Sequence, residues 1–155
     1  MRRSEREVTD PALLVDILDH AAVLFLALPD EPAPYVLPLC FGYNEGTIYV
    51  HSAPSGTKID MLRAHPRVGF SACSDMVVVP GADACGFTSR AESVVGTGLA
   101  RFVESEEEKS RGLDAIMRHY ASGPQTGTFA YRPGPFSRTC VVAIAIESLS
   151  GKRIG

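Results

Sequence analysis

The chain has 155 residues, 15 Lys and Arg against 18 Asp and Glu for a net charge of −3, 45% hydrophobic residues, four cysteines and no tryptophan. A chain this long buries roughly 70% of the surface its unfolded form exposes, so a single domain over 1–155 builds its core without metal or disulfide help. Basic residues spread from Arg2 to Arg153 form no stripe to neutralise a phosphate backbone, which argues against nucleic acid as a partner.

The longest apolar run, Ala21 to Leu28, falls well short of the ~20 residues that span a bilayer. The start, Met1 to Glu7, mixes charges of both signs and has no apolar signal core, so a cytoplasmic protein without a membrane partner is expected. Cys40, Cys73, Cys85 and Cys140 show no C-x-x-C and no zinc-like histidine spacing, and no metal site is expected. Cys40 and Cys140 lie in apolar runs and read as small core residues, whereas Cys85 sits in a loop-like stretch.

In chain order, Asp10-Pro11 is an N-cap with proline at the first helical position, and Leu13, Leu14, Ile17 and Leu18 share one face, which predicts a helix over 11–20. The run 21–28 is a buried strand stopped by Pro29-Asp30-Glu31-Pro32. Tyr35 to Tyr43 and Thr47 to Ser52 form a hairpin around Asn44-Glu45-Gly46, with Pro38 at an edge, at a bulge or facing a ligand. Thr57 and Asp60 resemble a capping box for a two-turn helix ended by Pro66. Strand 67–73 follows, then a long excursion over 74–91 in which Met76 to Val79 is a short strand or flap. After strand 93–103, Ser105 and Glu108 open a helix over 105–121 whose apolar stripe is Leu113, Ile116, Met117 and Tyr120. A Gly/Pro-rich loop over 122–138 and a strand over 139–146 complete the chain. The sum is a mainly β chain of α+β type, an antiparallel barrel with helices outside it.

The most informative stretch is His51-Ser52-Ala53-Pro54-Ser55-Gly56-Thr57-Lys58. It leaves a strand and enters a helix, so backbone N–H groups, hydroxyls and a lysine collect at the positive end of a helix dipole, an arrangement that suits a phosphate. The same residues are also ordinary helix caps, and no Walker, Rossmann or nucleophile-elbow pattern accompanies them. His20, His65 and His119 are scattered and read as helix-end or surface residues.

Several segments in order, Arg2-Arg3 with Glu7 to Asp10, Pro34 to Tyr43, His51 to Val68 and Ser93 to Gly98, resemble the flavin-binding split-barrel family related to pyridoxamine 5'-phosphate oxidase, in its nitroimidazole-resistance branch. The resemblance implies a six-stranded antiparallel split barrel with peripheral helices, a homodimer with FMN at the subunit interface, and a small-molecule substrate. It further implies that Val36, Pro38, Leu39 and Cys40 line the isoalloxazine, that His51 and Ser52 lie beside the ring or ribityl chain, and that Gly56 and Lys58 take the phosphate. Ser93 matches a position that reaches the cofactor from the other subunit. His51 is the one candidate catalytic residue, although a flavin needs no protein acid or base to accept hydride.

Where branch members carry a basic–aromatic–basic triplet before the Ser-Val pair, this chain has Arg90-Ala91-Glu92, a change expected to open space beside the flavin and to repel anions. The activity implied is an FMN-dependent oxidoreductase, fed by a reduced nicotinamide, that reduces a nitro-aromatic or quinone-like acceptor. Two alternatives compete with it. One is a protein of the same fold that binds flavin, deazaflavin or haem without turnover, with His51 as an axial ligand; the other is a degenerate barrel serving only for dimerisation.

Overall fold

The computed structural model describes residues 4–74, 76–121 and 128–155; Arg2, Arg3 and the first part of the 122–138 loop fall outside them. The elements are β1 (Glu7–Val8), α1 (Pro11–His20), β2 (Leu24–Leu28), β3 (Tyr35–Leu39), β4 (Phe41–Asn44), β5 (Thr47–Ser52), α2 (Thr57–Ala64), β6 (Arg67–Cys73), β7 (Val77–Val79), β8 (Thr88–Phe102), α3 (Glu106–Tyr120), α4 (Pro133–Arg138) and β9 (Cys140–Ile154). All strand pairs are antiparallel, in the order β3-β2-β6-β8-β9-β5-β4, with β1 added on β9 and β7 on β8.

The two ends of that order, β3 and β4, are separated in sequence by Cys40 alone. The sheet therefore curls until its edge strands meet, yet they do not pair, and the barrel is split rather than closed. This corrects the expectation of one strand over 35–43. Its first half pairs with β2 and its second with β5, so the chain changes neighbours at Cys40. There the N–H of Phe41 donates to the Tyr120 hydroxyl (3.1 Å), which itself donates to the Ala22 carbonyl (2.9 Å). Cys40 is thereby exposed rather than a core residue, while Cys140 is half-buried against the core, and Cys85 is an exposed thiol in a turn. Pro38 sits on the edge strand, where no ladder donor is missed.

The inner face of the barrel is a core of Leu24, Leu26, Leu28, Phe41, Ile48, Val50, Val142 and Ile144, covered at one side by Leu14, Ile17 and Leu18 of α1. On the outer face of β5 and β9, α3 packs Ala115 and Ile116 against Tyr49, Val141 and Ala143. The predicted stripe on α3 is thus rotated. The buried residues are Gly112, Asp114, Ala115 and Ile116, small enough to bring the helix close, whereas Met117 and Tyr120 stay exposed. Gly42 shows how close: a Cβ there would lie 2.3 Å from the Ala115 carbonyl carbon.

Strands β8 and β9 pair almost throughout, with one register shift between Thr97 and Gly98. Strand β9 runs to Ile154 rather than to 146, because after Ile146 only alternate residues face apolar neighbours: Leu149 packs on the core, and Gly151 lies against Leu14 and Val8. The turn between β4 and β5 uses Glu45 and Gly46 with φ of 46° and 78°, the left-handed pair of a type I′ hairpin.

At the start of α3, Ser105 accepts from the Glu108 N–H (3.2 Å), but the Glu108 carboxylate does not return the bond. It receives both terminal nitrogens of Arg101 and the Tyr49 hydroxyl instead. The hydrogen bonds from Arg101 hold the Glu108 carboxyl below the usual carboxylate range. A carboxyl held lower in the folded than in the unfolded chain stabilises above the unfolded value and loses that contribution as pH falls through the folded one. Glu108→Gln is accordingly expected to flatten the loss of melting temperature below about pH 5, as read by thermal denaturation at a series of pH values.

Candidate functional site

Residues in β5 alternate between the two faces of the sheet. Ile48 and Val50 point into the barrel, and Tyr49 points outward to α3. The same alternation sends Ser52 to the inner side and His51 to the outer. Cys140, which pairs with Ser52, shares the inner side and packs on the core. His51 lines a cavity of about 330 Å³ bounded by α3 and α4. The two neighbours thus serve different compartments at one strand end.

On the inner side the chain turns through Gly56 into α2. Gly56 is the N-cap, with φ of 121° and no side-chain cap on the helix, so the expected Thr57–Asp60 box does not form. A residue with a Cβ resists that φ, and the space where a Cβ would stand is open. Carbonyl Gly56 O accepts from Ile59 and Asp60 (2.8 and 3.1 Å), and the N–H groups of Thr57 and Lys58, the first two of the helix, have no acceptor within it.

The Lys58 ammonium is half-buried, and burial pushes its pKa below the usual lysine value while the nearby Cys140 thiol pulls it back up. Burial likewise raises the Cys140 thiol, opposed by Lys109, Arg63 and Lys58 in turn. The positive charge of Lys109, Arg63 and Lys58, carried on two helices, is thus felt at one half-buried residue of β9. Arg63 also stacks on the Phe102 ring (5.3 Å) and pairs with Asp60 (3.5 Å). A desolvated lysine beside uncapped N–H groups is a donor set for a phosphate. A phosphate group fits it, and the residues that would hold one are Gly56 and Lys58, with Ser52 on the same side of β5 opposite Cys140.

Sequence reasoning names Ser52, Gly56 and Lys58 but neither Arg63 nor Lys109, the cations that accompany Lys58 around Cys140 electrostatically. Arg63 lies five residues along α2, and Lys109 comes from α3 through tertiary contact alone, so no local pattern announces either. Phe41 pairs with Val50, so the β3–β4 join at Cys40 lies toward the His51 end of β5, whereas Leu39 belongs to the β2 ladder opposite Leu24. Val36 and Pro38 run away from the join along the outer face. Ser93 is remote: it pairs with Lys152 while Ser52 pairs with Cys140, which separates them by roughly 40 Å of strand at ~3.3 Å per residue. One chain cannot bring both to one ligand.

At Arg90-Ala91-Glu92 the Glu92 carboxylate is bonded to Arg153, so the expected repulsion of anions is cancelled within the chain. The other histidines have structural partners. His20 contacts the Asp16 carbonyl (2.8 Å), His119 contacts the Ala21 carbonyl (2.8 Å) and stacks on Phe41, and His65 caps α2. No helix among the described residues is long and apolar enough to cross a membrane.

A split antiparallel barrel with a cationic helix start at a strand end defines a cofactor-cradling class of fold, and comparison with known proteins identifies it. The family profile of pyridoxamine 5'-phosphate oxidase matches residues 10–153, and the chain belongs to that family. A candidate 5-nitroimidazole antibiotic resistance protein from Bacteroides thetaiotaomicron is 31% identical, with a TM-score of 0.81 over 96% of this chain and 87% of that one. An FAD and haem binding protein from Mycobacterium smegmatis (20% identity, TM-score 0.81, 96% and 73% covered) and the flavocytochrome Anf3 from Azotobacter vinelandii (20%, 0.80, 99% and 71%) share the fold. A comparison with curated proteins finds no match.

Proposed function

We propose that this protein is an FMN-dependent oxidoreductase that acts as a homodimer, takes electrons from a reduced nicotinamide and passes them to a small nitro-aromatic or quinone-like acceptor. The observation that carries the reading is the corner formed by the uncapped start of α2 with Lys58 and the end of β5 at Ser52, toward which the β3–β4 join lies. The family and the Bacteroides relative support the acceptor class. Bound FMN supplies hydride acceptance and release, which no side chain here provides. The chain's share is to fix the phosphate with Lys58 and the α2 N–H groups, and to present the β3–β4 join to the ring.

The outer face of the sheet supports the dimer reading. Pro38, Phe25, Ser71, Val95 and Ser150 form one row across five strands, and Val36, Ala27, Gly69, Thr97 and Ser148 form the next. Phe25, Val36 and Val95 are 47%, 55% and 58% exposed amid small residues, and exposed apolar groups clustered on one face mark an interface. A second copy laid there under two-fold symmetry covers it and offers a partner copy of Ser93 to a site that its own chain cannot reach. Val95→Glu is expected to give monomers by light scattering and to weaken FMN at least about tenfold, since charges at an interface core cost several kcal/mol. A wild-type monomer at micromolar concentration would sink the interfacial site.

Anaerobic mixing with NADH or NADPH tests the reaction itself. The flavin absorbance is expected to bleach and to return on adding a nitro-aromatic. A flavin that stays oxidised with both nicotinamides would favour a binding protein without turnover.

A further inference from the structure

We propose that the cavity between β5, α3 and α4 is a binding site for a one-ring aromatic anion. At about 330 Å³ it lies at the lower end of small-molecule sites, which combine apolar walls with a few polar groups. Ile116, Met117 and the rings of Tyr131 and Phe136 supply the walls. His51, Arg132 and Thr139 are its polar members besides the Tyr131 hydroxyl, and the Thr139 hydroxyl is already bonded to the Pro135 carbonyl (2.9 Å). The two rings stand 5.8 Å apart at 32° to each other, a surface against which a flat ligand stacks. The guanidinium of Arg132 is charged at every physiological pH and recognises carboxylate or nitro oxygens in its plane. Lys109 lies 4.7 Å from the centre of the Phe136 ring and, not being part of the cavity lining, leaves Arg132 as the charged group of the site.

The wall is held in place by a buried acid. Asp114 is 3% exposed, and one of its carboxylate oxygens accepts from the Tyr131 hydroxyl (2.7 Å) and the Phe129 N–H (3.2 Å). A carboxylate buried on the packed side of a helix costs stability unless it is bonded, and both bonds go to the segment that walls the cavity. Burial first, and then this bond, raise the Tyr131 pKa, so the hydroxyl remains a donor. Asp114 is thus a positioning residue for Tyr131. This also accounts for Met117, which the apolar stripe of α3 assigns to the core and which faces the cavity instead.

The site stands on the cavity alone; that its ligand is the electron acceptor rests on the flavin reading. His51 and Ser52 link the two, since adjacent residues of β5 face the cavity and the cradle.

Calorimetric titration of 4-nitrobenzoate and of nitrobenzene into the full-length chain, before and after saturation with FMN, tests the proposal. The anion is expected to bind saturably and about fivefold or more tighter than the neutral probe, and Arg132→Gln to bring the two together. Met117→Trp fills the cavity and weakens both at least about tenfold. Tyr131→Phe, which removes only the bond to Asp114, weakens both several-fold. Circular dichroism checks that each variant folds, and should Met117→Trp not fold, the exposed Arg132→Gln still decides the matter. Equal affinity for the two probes in the wild type, no saturable binding, or undiminished binding in folded Met117→Trp overturns the proposal. Nitrobenzoate binding in a protein that takes up no FMN supports the cavity site and ends the flavin reading; FMN uptake without nitrobenzoate binding does the reverse.

Discussion

Replacing Lys58 by alanine weakens FMN binding by about tenfold or more while riboflavin binding changes little. The ammonium is half-buried, and its desolvation is offset when a phosphate sits beside it. A hydrogen bond to a charged group is worth roughly 1.5–3 kcal/mol, and each ~1.4 kcal/mol is a factor of ten. Riboflavin lacks the phosphate and so separates the two roles open to this lysine. The N–H groups at the start of α2 remain in Lys58→Ala and keep part of the attraction, which is why the loss stays finite. Titration of both ligands by flavin fluorescence is the check, and an equal loss for the two would show that Lys58 supports the corner and not the phosphate.

The largest stability effect is expected at Gly42. A Cβ there would stand 2.3 Å from the Ala115 carbonyl carbon and 2.4 Å from the Ile116 nitrogen, both backbone atoms that no rotamer change can move. Gly42→Ala therefore pushes α3 off β4 at a cost of about 3 kcal/mol, at the upper end of ordinary overpacking. For a domain of this size that lowers the melting temperature by roughly 6–12 °C. The cost extends to function, because α3 carries Tyr120, which holds the β3–β4 join, and Asp114, which holds the cavity wall. Thermal denaturation followed by circular dichroism measures it. A shift below about 2 °C would mean that the helix does not rest on the strand backbone.

Local signals carried much of the fold. Asp10 caps α1 through the Ala12 N–H (2.9 Å), Ser105 caps α3, and the Glu45–Gly46 turn closes its hairpin, each from residues adjacent in sequence. The expectations that failed depended on distant partners. The break at Cys40 is set by Tyr120, some eighty positions away, and by the need of two edge strands to meet. The polar second half of β9 pairs with β8 through its backbone, which leaves no apolar run to read. Helix α4 starts at Pro133 within a stretch whose prolines and glycine read as loop.

The site was legible to the same extent. Ser52, Gly56 and Lys58 form a local motif, whereas Arg63, Lys109 and Arg132 join by tertiary contact. Asp114 reads as a solvated helix acid until Tyr131 is seen above it. His51 and Ser52 adjoin in sequence, yet side chains at successive positions leave a strand on opposite faces, so the pleat gives them different surroundings.

The absorbance spectrum of the freshly purified protein, followed by mass determination of any small molecule released on denaturation, tests the central claim most directly. The account predicts the bands of an oxidised flavin, restored by adding FMN to protein stripped of it, a released mass equal to that of FMN, and one flavin per chain of a dimer. A Soret band, or a protein that stays colourless after incubation with excess FMN, would contradict it.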